Sequence, residues 1–158
     1  MKAKLEYIPS VNFQIIGISS TEIDYKLAYN ITKNFNIDFY MLEDIVVEKE
    51  QPAMLPQLNF GEASEPSRYS VYGNVIDSYR KSDLLLISNR GSGTYLLDEF
   101  HKFDYIFIVR DDGVLRSDDA LKYLRSVACI SGAYLLSLET IKTKKNIYLL
   151  WDSLQNRQ

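Results

Sequence analysis

Residues 104–109 read DYIFIV, an aspartate followed by five aromatic or aliphatic residues. A short apolar run of this kind, rich in β-branched and aromatic side chains, is typical of a strand buried inside a sheet. The sequence DDG follows at residues 111–113 and predicts a turn after the strand. We therefore predict a central strand over residues 105–109, with acidic side chains that anchor its entrance.

Two segments have the apolar periodicity of helices that bury one side. In residues 21–35 the apolar side chains recur at the spacing i, i+4, i+8. These side chains are Ile23, Leu27 and Ile31. Ser19 or Ser20 can cap this helix, and Ser19 with Glu22 has the spacing of a capping box. The second helix is predicted over residues 116–127, with Ser117 as its cap.

Short apolar or alternating segments predict the remaining strands. These segments are residues 12–18, 37–47, 68–77, 81–90 and 130–137. We expect a bulge near Glu43 and Asp44 and a tight turn at the sequence RGSG of residues 90–93. One helix comes early and one late, with hairpin-connected strands between them. This order predicts an α+β fold, a largely antiparallel sheet of about five to six strands with two helices packed on one face.

The length of the chain predicts one domain, which spans residues 1–158. The chain contains 12 tyrosines, and tyrosine suits half-buried strand positions because its ring can pack while its hydroxyl stays hydrated. We therefore expect the sheet face opposite the helices to be solvated or to be used for binding.

Two segments are predicted to lie outside the regular core. Residues 48–67 hold three of the four prolines and predict a long surface loop. This loop is either a tolerated insertion or a flap that exposes Met54, Leu55 and Phe60 to a partner. Residues 138–158 form a tail of uncertain structure, because its periodicity does not choose between helix and strand.

The composition argues against several classes of protein. A net charge of −3 and a pI near 5.2 disfavour a general nucleic-acid or anionic-membrane surface, which needs a basic excess. The N-terminal sequence lacks the apolar core of a signal peptide, and no apolar run approaches the length of a transmembrane helix. The single cysteine, Cys129, allows no internal disulfide and fits a reducing compartment. We expect a cytosolic protein without membrane association.

Residues 98–104 (DEFHKFD) gather carboxylates around the only histidine of the chain. Glu99, His101 and Asp104 are the candidates for acid–base or metal-ligand chemistry. A single histidine without a nucleophile signature does not define a catalytic triad, however. In the structural alternative, the carboxylates turn the chain and Asp104 binds loop amides at the strand entrance; a third alternative is partner recognition. We predict the structural role, and with it no catalytic residue, metal or cofactor.

Basic and aromatic residues alternate near the C-terminus. They are Lys142, Lys144, Lys145, Tyr148 and Trp151. Such interleaving can bind single-stranded nucleic acid through phosphate neutralisation and base stacking. Three lysines are few for that purpose, so we expect a solvated tail, with weak RNA or partner contact as the alternative.

The sequence LDEFHKFDY of residues 97–105 resembles the signature that gives the IPExxxVDY family of Bacteroidetes-type bacteria its name. The matching residues are Glu99, Asp104 and Tyr105, with Leu97 and Phe103 as conservative replacements and Asp98 in place of the proline. FQIIGISS, LLISNRGSG and ISGAYLLS also resemble family blocks in the same order, so the likeness covers most of residues 12–150. The resemblance implies a small cytosolic protein. It carries over no catalytic residues, because no activity is established for the family. It also implies that the signature serves folding.

We therefore expect a non-enzymatic protein-interaction module in the cytosol. Its partner is an unidentified protein, or a second copy of the chain bound through an exposed strand edge or through the tyrosine-bearing sheet face. Two alternatives stay open. One is a weak RNA-associated accessory factor, and the other is an enzyme or metal protein that uses Glu99, His101 and Asp104.

Overall fold

The computed structural model describes residues 13–48, 65–76, 82–141 and 149–150. The strands of this part of the chain are β1 (Phe13–Ser19), β2 (Tyr40–Val47), β3 (Ser67–Gly73), β4 (Leu84–Ser88), β5 (Tyr105–Arg110) and β6 (Gly132–Leu136). The helices are α1 (Asp24–Phe35) and α2 (Ser117–Arg125). The predicted α+β fold is confirmed. Neither helix is long and apolar enough to cross a membrane.

The six strands form one sheet in the order β2-β3-β4-β5-β1-β6, and every neighbouring pair is antiparallel. β5 lies inside the sheet between β4 and β1, and all six of its residues are buried. The prediction that DYIFIV enters a buried strand is therefore confirmed. In the described part of the chain, β2 and β6 are the two edges of the sheet.

The predicted bulge of β2 is confirmed. The pairing of β2 with β3 shifts register between Leu42 and Ile45, so Glu43 and Asp44 lie at the irregularity. A bulge bends the strand and increases its twist. β2 therefore forms an irregular edge that carries two acidic side chains.

The turn predicted at RGSG is confirmed as well. The backbone N–H of Gly91 donates to the carbonyl of Thr94 at 2.7 Å, and Arg90 and Tyr95 face each other in a short antiparallel bridge. Gly93 has φ +81°, a conformation that glycine adopts without steric cost. The chain therefore folds back directly after β4, which brings residues 95–104 under the sheet.

The predicted helices are present, but the predicted caps are wrong. Ile23 precedes α1 and Arg116 precedes α2 as the N-cap residues, and neither makes a capping hydrogen bond through its side chain. Ser117 is instead the first residue of α2. The hydroxyl of Ser20 accepts from the N–H of Glu22 at 3.1 Å, so a serine fixes the turn that leads into α1 and not its first helical turn.

The two helices cover one sheet face and bury a core against it. This helix-side core comprises Ile16, Ile18, Leu27, Ala28, Ile31, Phe35, Tyr72, Leu84, Leu86, Tyr105, Phe107, Val109, Ala120, Leu124, Val127, Ile130 and Ala133. The stripe predicted from periodicity supplies Leu27 and Ile31, whereas Ile23 lies outside it and is 51% exposed. The burial of an aliphatic side chain stabilises the fold by about 1.5–3 kcal/mol, so this core holds both helices on the sheet.

The opposite sheet face is also buried at its centre, and the prediction that it is solvated is wrong there. Its core comprises Phe13, Ile15, Ile45, Tyr69, Val71, Leu85, Ile87, Leu96, Leu97, Ile106, Ile108, Ile141 and Leu150. Leu96 and Leu97 come from the segment before β5, and Ile141 and Leu150 come from the tail. β4 and β5 are apolar at successive positions, which requires cover on both faces.

Much of the loop predicted over 48–67 and of the tail predicted over 138–158 lies outside the described residues. At the borders, Ser67 already belongs to β3, and a short 3₁₀ helix spans Leu138–Thr140. The interpretation of residues 48–67 as an insertion or a flap therefore stays a prediction.

Candidate functional site

The segment before β5, residues 96–104, is named here the entrance segment, and the buried side chain of Asn89 holds it. The Asn89 amide nitrogen donates to the carbonyls of Phe100 and Phe103, at 3.0 Å each. The Asn89 side-chain oxygen accepts from the N–H of Leu97 at 2.9 Å. The backbone of Asn89 adds bonds to Leu96 and Asp104, each of 2.9 Å. The residue that directly follows β4 thus fixes both ends and the middle of the entrance segment.

Asp104 closes the entrance of β5 with both carboxylate oxygens. One oxygen accepts from the backbone N–H of Ser20 at 2.9 Å, and the other lies 2.7 Å from a guanidinium nitrogen of Arg90. The backbone N–H of Asp104 also donates to the carbonyl of Ile18 at 2.8 Å. The side chain therefore binds a loop amide at the strand entrance, as the structural interpretation of this aspartate expects.

Tyr105 joins the start of β5 to the turn before α1. Its hydroxyl donates to the carbonyl of Glu22 at 2.6 Å. Burial raises the pKa of the Tyr105 hydroxyl well above its ordinary value, and the nearby carboxylates of Asp24 and Asp104 raise it further. At neutral pH the hydroxyl is therefore a protonated hydrogen-bond donor.

An open cleft of about 370 Å³ lies beside this junction. Its lining comprises Ser20, Thr21, Glu22, Ser88, Arg90, Asp104 and Tyr105. Cys129 lies close by, since its carbonyl accepts from the Ser20 hydroxyl at 2.6 Å. Burial, followed by the charge of Glu22, raises the pKa of the Cys129 thiol, which disfavours the nucleophilic thiolate. Charged groups line the cleft, but Asp104 and the Ser20 hydroxyl are engaged in holding the fold.

The other two candidates for chemistry point elsewhere. Glu99 is half-buried in a 3₁₀ helix that spans Asp98–Phe100. His101 is exposed, and its Nδ1 lies 3.1 Å from the carbonyl of Asp98. Among the described residues, no group of three histidine, cysteine or acidic side chains is arranged to hold a metal ion. An acid–base role for Glu99, His101 or Asp104 stays a hypothesis.

The basic residues considered for RNA contact fall outside the described part of the chain. They are Lys142, Lys144, Lys145, Tyr148 and Trp151. The RNA hypothesis therefore stays a prediction from sequence.

At the β6 edge of the sheet, two large apolar side chains are exposed. Tyr134 is 53% exposed and Leu135 is 49% exposed. Tyr134 lies opposite Gly17 of β1, and Leu135 lies opposite Ile16, so the two side chains occupy different sheet faces. The five residues of β6, GAYLL, carry no charge. Edge strands of natural proteins are commonly protected by charges, prolines or bulges, and none of these lies within β6.

The backbone of β6 also offers groups that β1 does not use. The carbonyl of Ala133 accepts from Nε of Arg125 at 3.0 Å and therefore points away from β1. Because backbone groups alternate in direction along an antiparallel strand, the N–H and carbonyl of Leu135 point the same way. Arg125 occupies the carbonyl of Ala133, so among the described residues the N–H and carbonyl of Leu135 are the groups left for an added strand. We call this side of β6, at Ala133–Leu135, the open edge.

The sequence did not identify the residues that hold the entrance segment or those that form the open edge. Asn89 gave no distinctive signal, since an asparagine after an apolar run reads equally well as a turn residue. Tyr134 and Leu135 lie in a predicted strand, but an edge strand is recognised only once strand order is known. Arg125 is one of several basic residues at the end of a helix, where such residues are common for other reasons.

The fold and these sites define the class of the molecule, an α+β protein built on one six-stranded antiparallel sheet. Comparisons with protein-family models, with curated proteins and with solved structures found no match. The function is therefore inferred from the entrance segment and the sheet edges.

Proposed function

We propose that this protein is a non-enzymatic interaction module that binds a protein partner by strand addition at the open edge of β6. The observation that carries the proposal is an uncharged edge strand with two exposed apolar side chains, Tyr134 and Leu135. The outward backbone groups of Leu135 supply hydrogen bonds for an added strand, while the side chains supply apolar contact.

The opposite edge favours this choice of β6. β2 exposes Tyr40, Met41 and Val46, but it is bulged and carries two acidic residues at its centre. Bulges and charges are the usual means by which an edge strand is kept from pairing. The sheet face opposite the helices, predicted to carry tyrosines, is a weaker candidate for binding because the chain itself buries the centre of that face.

Membership of the IPExxxVDY family and a cytosolic location belong to the same proposal. In support, Asp104 and Tyr105 both bind the segment before α1, which is the folding role expected of the signature. The single partly buried cysteine supports a reducing compartment.

The test compares one lysine substitution at each sheet edge. Leu135→Lys places a charge at the open edge, and Met41→Lys is the matched control. Leu135 and Met41 are both exposed, and each lies opposite a residue of the helix-side core, Ile16 and Tyr72 respectively. Both variants are expected to fold, which circular dichroism and thermal unfolding check.

Each variant is measured for solution mass at micromolar concentration and for the proteins it captures from native lysate. We expect Leu135→Lys to lose the association that wild type and Met41→Lys retain, whether with itself or with another protein. Hydrogen exchange then follows the Leu135 amide, which should become protected when the identified partner is added. If Leu135→Lys retains every association of the wild type, binding at the open edge is rejected.

A further inference from the structure

We infer that the partner at the open edge is a second copy of this chain, paired antiparallel about a two-fold axis that passes beside Leu135. This inference rests on the proposed function and adds the identity and geometry of the partner. Two-fold pairing joins the sheets of two copies into one continuous sheet, to which the described part of each copy supplies six strands. It also brings the α2 helices of the two copies side by side.

The first argument is the self-complementarity of β6. In a two-fold antiparallel pair each strand meets its own sequence, so a charged strand meets its own charge. The GAYLL sequence of β6 carries none. A copy of Leu135 can face itself, with each N–H donating to the carbonyl of the other. In β2 the same symmetry would place Glu43 and Asp44 against their own copies.

The second argument is the charge pattern of α2, the helix that flanks β6. Its acidic residues lie in the first turn and its basic residues lie in the last. Arg125 marks the side of α2 that faces the open edge, because it donates to Ala133 and its guanidinium lies 5.9 Å from the ring of Tyr134. Residues three, four and seven positions earlier share that side of the helix. They are Lys122, Leu121 and Asp118.

The spacing along helix and strand then places opposite charges together. Leu135 lies two residues beyond Ala133, about 6.6 Å along the strand. The last residue of α2, Arg125, contacts Ala133 near the start of β6, and residues 126–131 connect the two elements, so we infer that the helix runs antiparallel to the strand. Leu121 lies four residues before Arg125, about 6 Å along the helix, and therefore sits close to the level of Leu135.

Asp118 lies three residues before Leu121, about 4.5 Å further along the helix. Arg125 and Asp118 therefore lie on opposite sides of the level of Leu135. A two-fold axis at Leu135 therefore sets Asp118 of one copy opposite Arg125 of the second copy, and the reverse. Lys122, next to Leu121, lies near the axis and meets its own copy, a like-charge contact that the two Asp118–Arg125 pairs have to outweigh.

Tyr123 identifies the other side of the helix. Its ring packs against Phe35 of α1 with the centroids 5.5 Å apart, so this side of α2 faces α1 and not the open edge. Asp119 lies four residues before Tyr123 and shares that side. Asp118 and Asp119 are both exposed neighbours in the same turn, yet only Asp118 lies on the flank of the open edge. Asp119 therefore serves as the matched control for Asp118.

The experiment measures solution mass by analytical ultracentrifugation across micromolar concentrations. Wild type is expected to be in a monomer–dimer equilibrium. Asp118→Arg and Arg125→Asp should each weaken the dimer by roughly tenfold or more, because two attractive pairs become repulsive in each case. Asp119→Arg makes the same change of charge on the other side of the helix and should leave the dimer unchanged.

The decisive step is to mix the two weakened variants. Asp118→Arg carries only basic charge at the two facing positions, and Arg125→Asp carries only acidic charge. A mixture should therefore form a heterodimer that neither variant forms with itself. If the mixture stays monomeric while both variants keep their native circular dichroism spectra, the two-fold arrangement is wrong.

The proposed function and this inference fail in different ways. A wild type that is monomeric at every concentration, yet captures another protein that Leu135→Lys loses, overturns self-association and retains strand addition. A wild-type dimer that survives Leu135→Lys, Asp118→Arg and Arg125→Asp overturns the inference, and it overturns the proposed function as well when Leu135→Lys also captures every protein that the wild type captures. Loss of the dimer in these three variants, with its recovery in the mixture, supports both.

Discussion

The ring of Phe103 packs directly on the backbone of Gly17. A Cβ atom built on Gly17 would lie 2.6 Å from the Phe103 ring, a distance that real side chains do not adopt. Phe103 ends the turn of the entrance segment, and its ring centroid also lies 5.9 Å from that of Tyr134. A glycine in β1 thus makes room for an aromatic residue that links the entrance segment to the β6 edge.

Gly17→Ala is therefore expected to destabilise the protein although alanine favours strands no less than glycine does. Overpacking of this kind costs about 1–3 kcal/mol in the free energy of unfolding. Urea denaturation measures the loss. In the background of Phe103→Leu, whose smaller side chain leaves space, the same Gly17→Ala change should cost clearly less. Equal costs in the two backgrounds would show that the two residues do not compete for the same space.

Asn89→Asp tests the residue that holds the entrance segment. The aspartate keeps an acceptor for the N–H of Leu97 but removes both hydrogen bonds donated to Phe100 and Phe103. A buried acceptor that loses its donor costs about 1–3 kcal/mol, so we expect a loss of several kcal/mol in urea denaturation.

Asn30→Asp is the matched control for this substitution. The Asn30 amide donates only to the carbonyl of Lys26, in an exposed part of α1. Surface substitutions of this kind stay within about 0.5 kcal/mol of wild type. A similar stability of the Asn89→Asp and Asn30→Asp variants would contradict the role assigned to Asn89.

Two substitutions of Asp104 separate its charge from its hydrogen bond. Asp104→Asn keeps an oxygen for the N–H of Ser20 but removes the ion pair with Arg90, whose side chain is 60% exposed. Exposed ion pairs contribute about 0–1 kcal/mol, so the asparagine variant should be nearly as stable as wild type. Asp104→Ala also removes the acceptor and should cost about 1–3 kcal/mol more.

Hydrogen exchange at the Ser20 amide provides the site-specific measurement for Asp104. Protection should persist in Asp104→Asn and fall in Asp104→Ala, because only the alanine variant lacks an acceptor at this place. If the asparagine variant is as unstable as the alanine variant, the charge of Asp104 matters more than its hydrogen bond.

The sequence predicted those parts of the fold that depend on local patterns. The apolar run at 105–109 identified β5, the helical period identified α1 and α2, and acidic residues inside a strand pattern marked the bulge of β2. The helix caps were mispredicted because a serine near a helix start can equally well bind the preceding turn, as Ser20 does.

The second core was missed for a different reason. Its cover comes from Leu96, Leu97, Ile141 and Leu150, which lie in segments without a helical or strand period. The signal that was available is the unbroken apolar run of β4, residues 84–87, since a strand with one solvated face would alternate. The open edge needed more than a pattern, because it depends on which strand ends the sheet and on a contact between Arg125 and Ala133 that joins two elements.

Tyr105 gives the fold a dependence on alkaline pH. Its hydroxyl donates to the carbonyl of Glu22, and burial raises its pKa in the folded protein above the ordinary tyrosine value of about 10. In the unfolded chain the hydroxyl ionises near pH 10, so above this pH the unfolded state binds fewer protons than the folded state. The stability that Tyr105 contributes is therefore complete below about pH 10 and is lost as the pH rises through the folded-state pKa.

Tyr105→Phe should consequently reduce this alkaline loss. At about pH 8 the variant should be less stable than wild type by roughly 1 kcal/mol, because the hydrogen bond to Glu22 is missing. Between about pH 10 and pH 11 its free energy of unfolding should fall less steeply than that of the wild type, so the two curves converge. Tyr29→Phe, a change at an exposed position of α1, should keep the wild-type slope. Urea denaturation across this pH range measures all three proteins, and parallel curves for Tyr105→Phe and wild type would refute the assignment, since the only group removed is the one whose ionisation is held responsible.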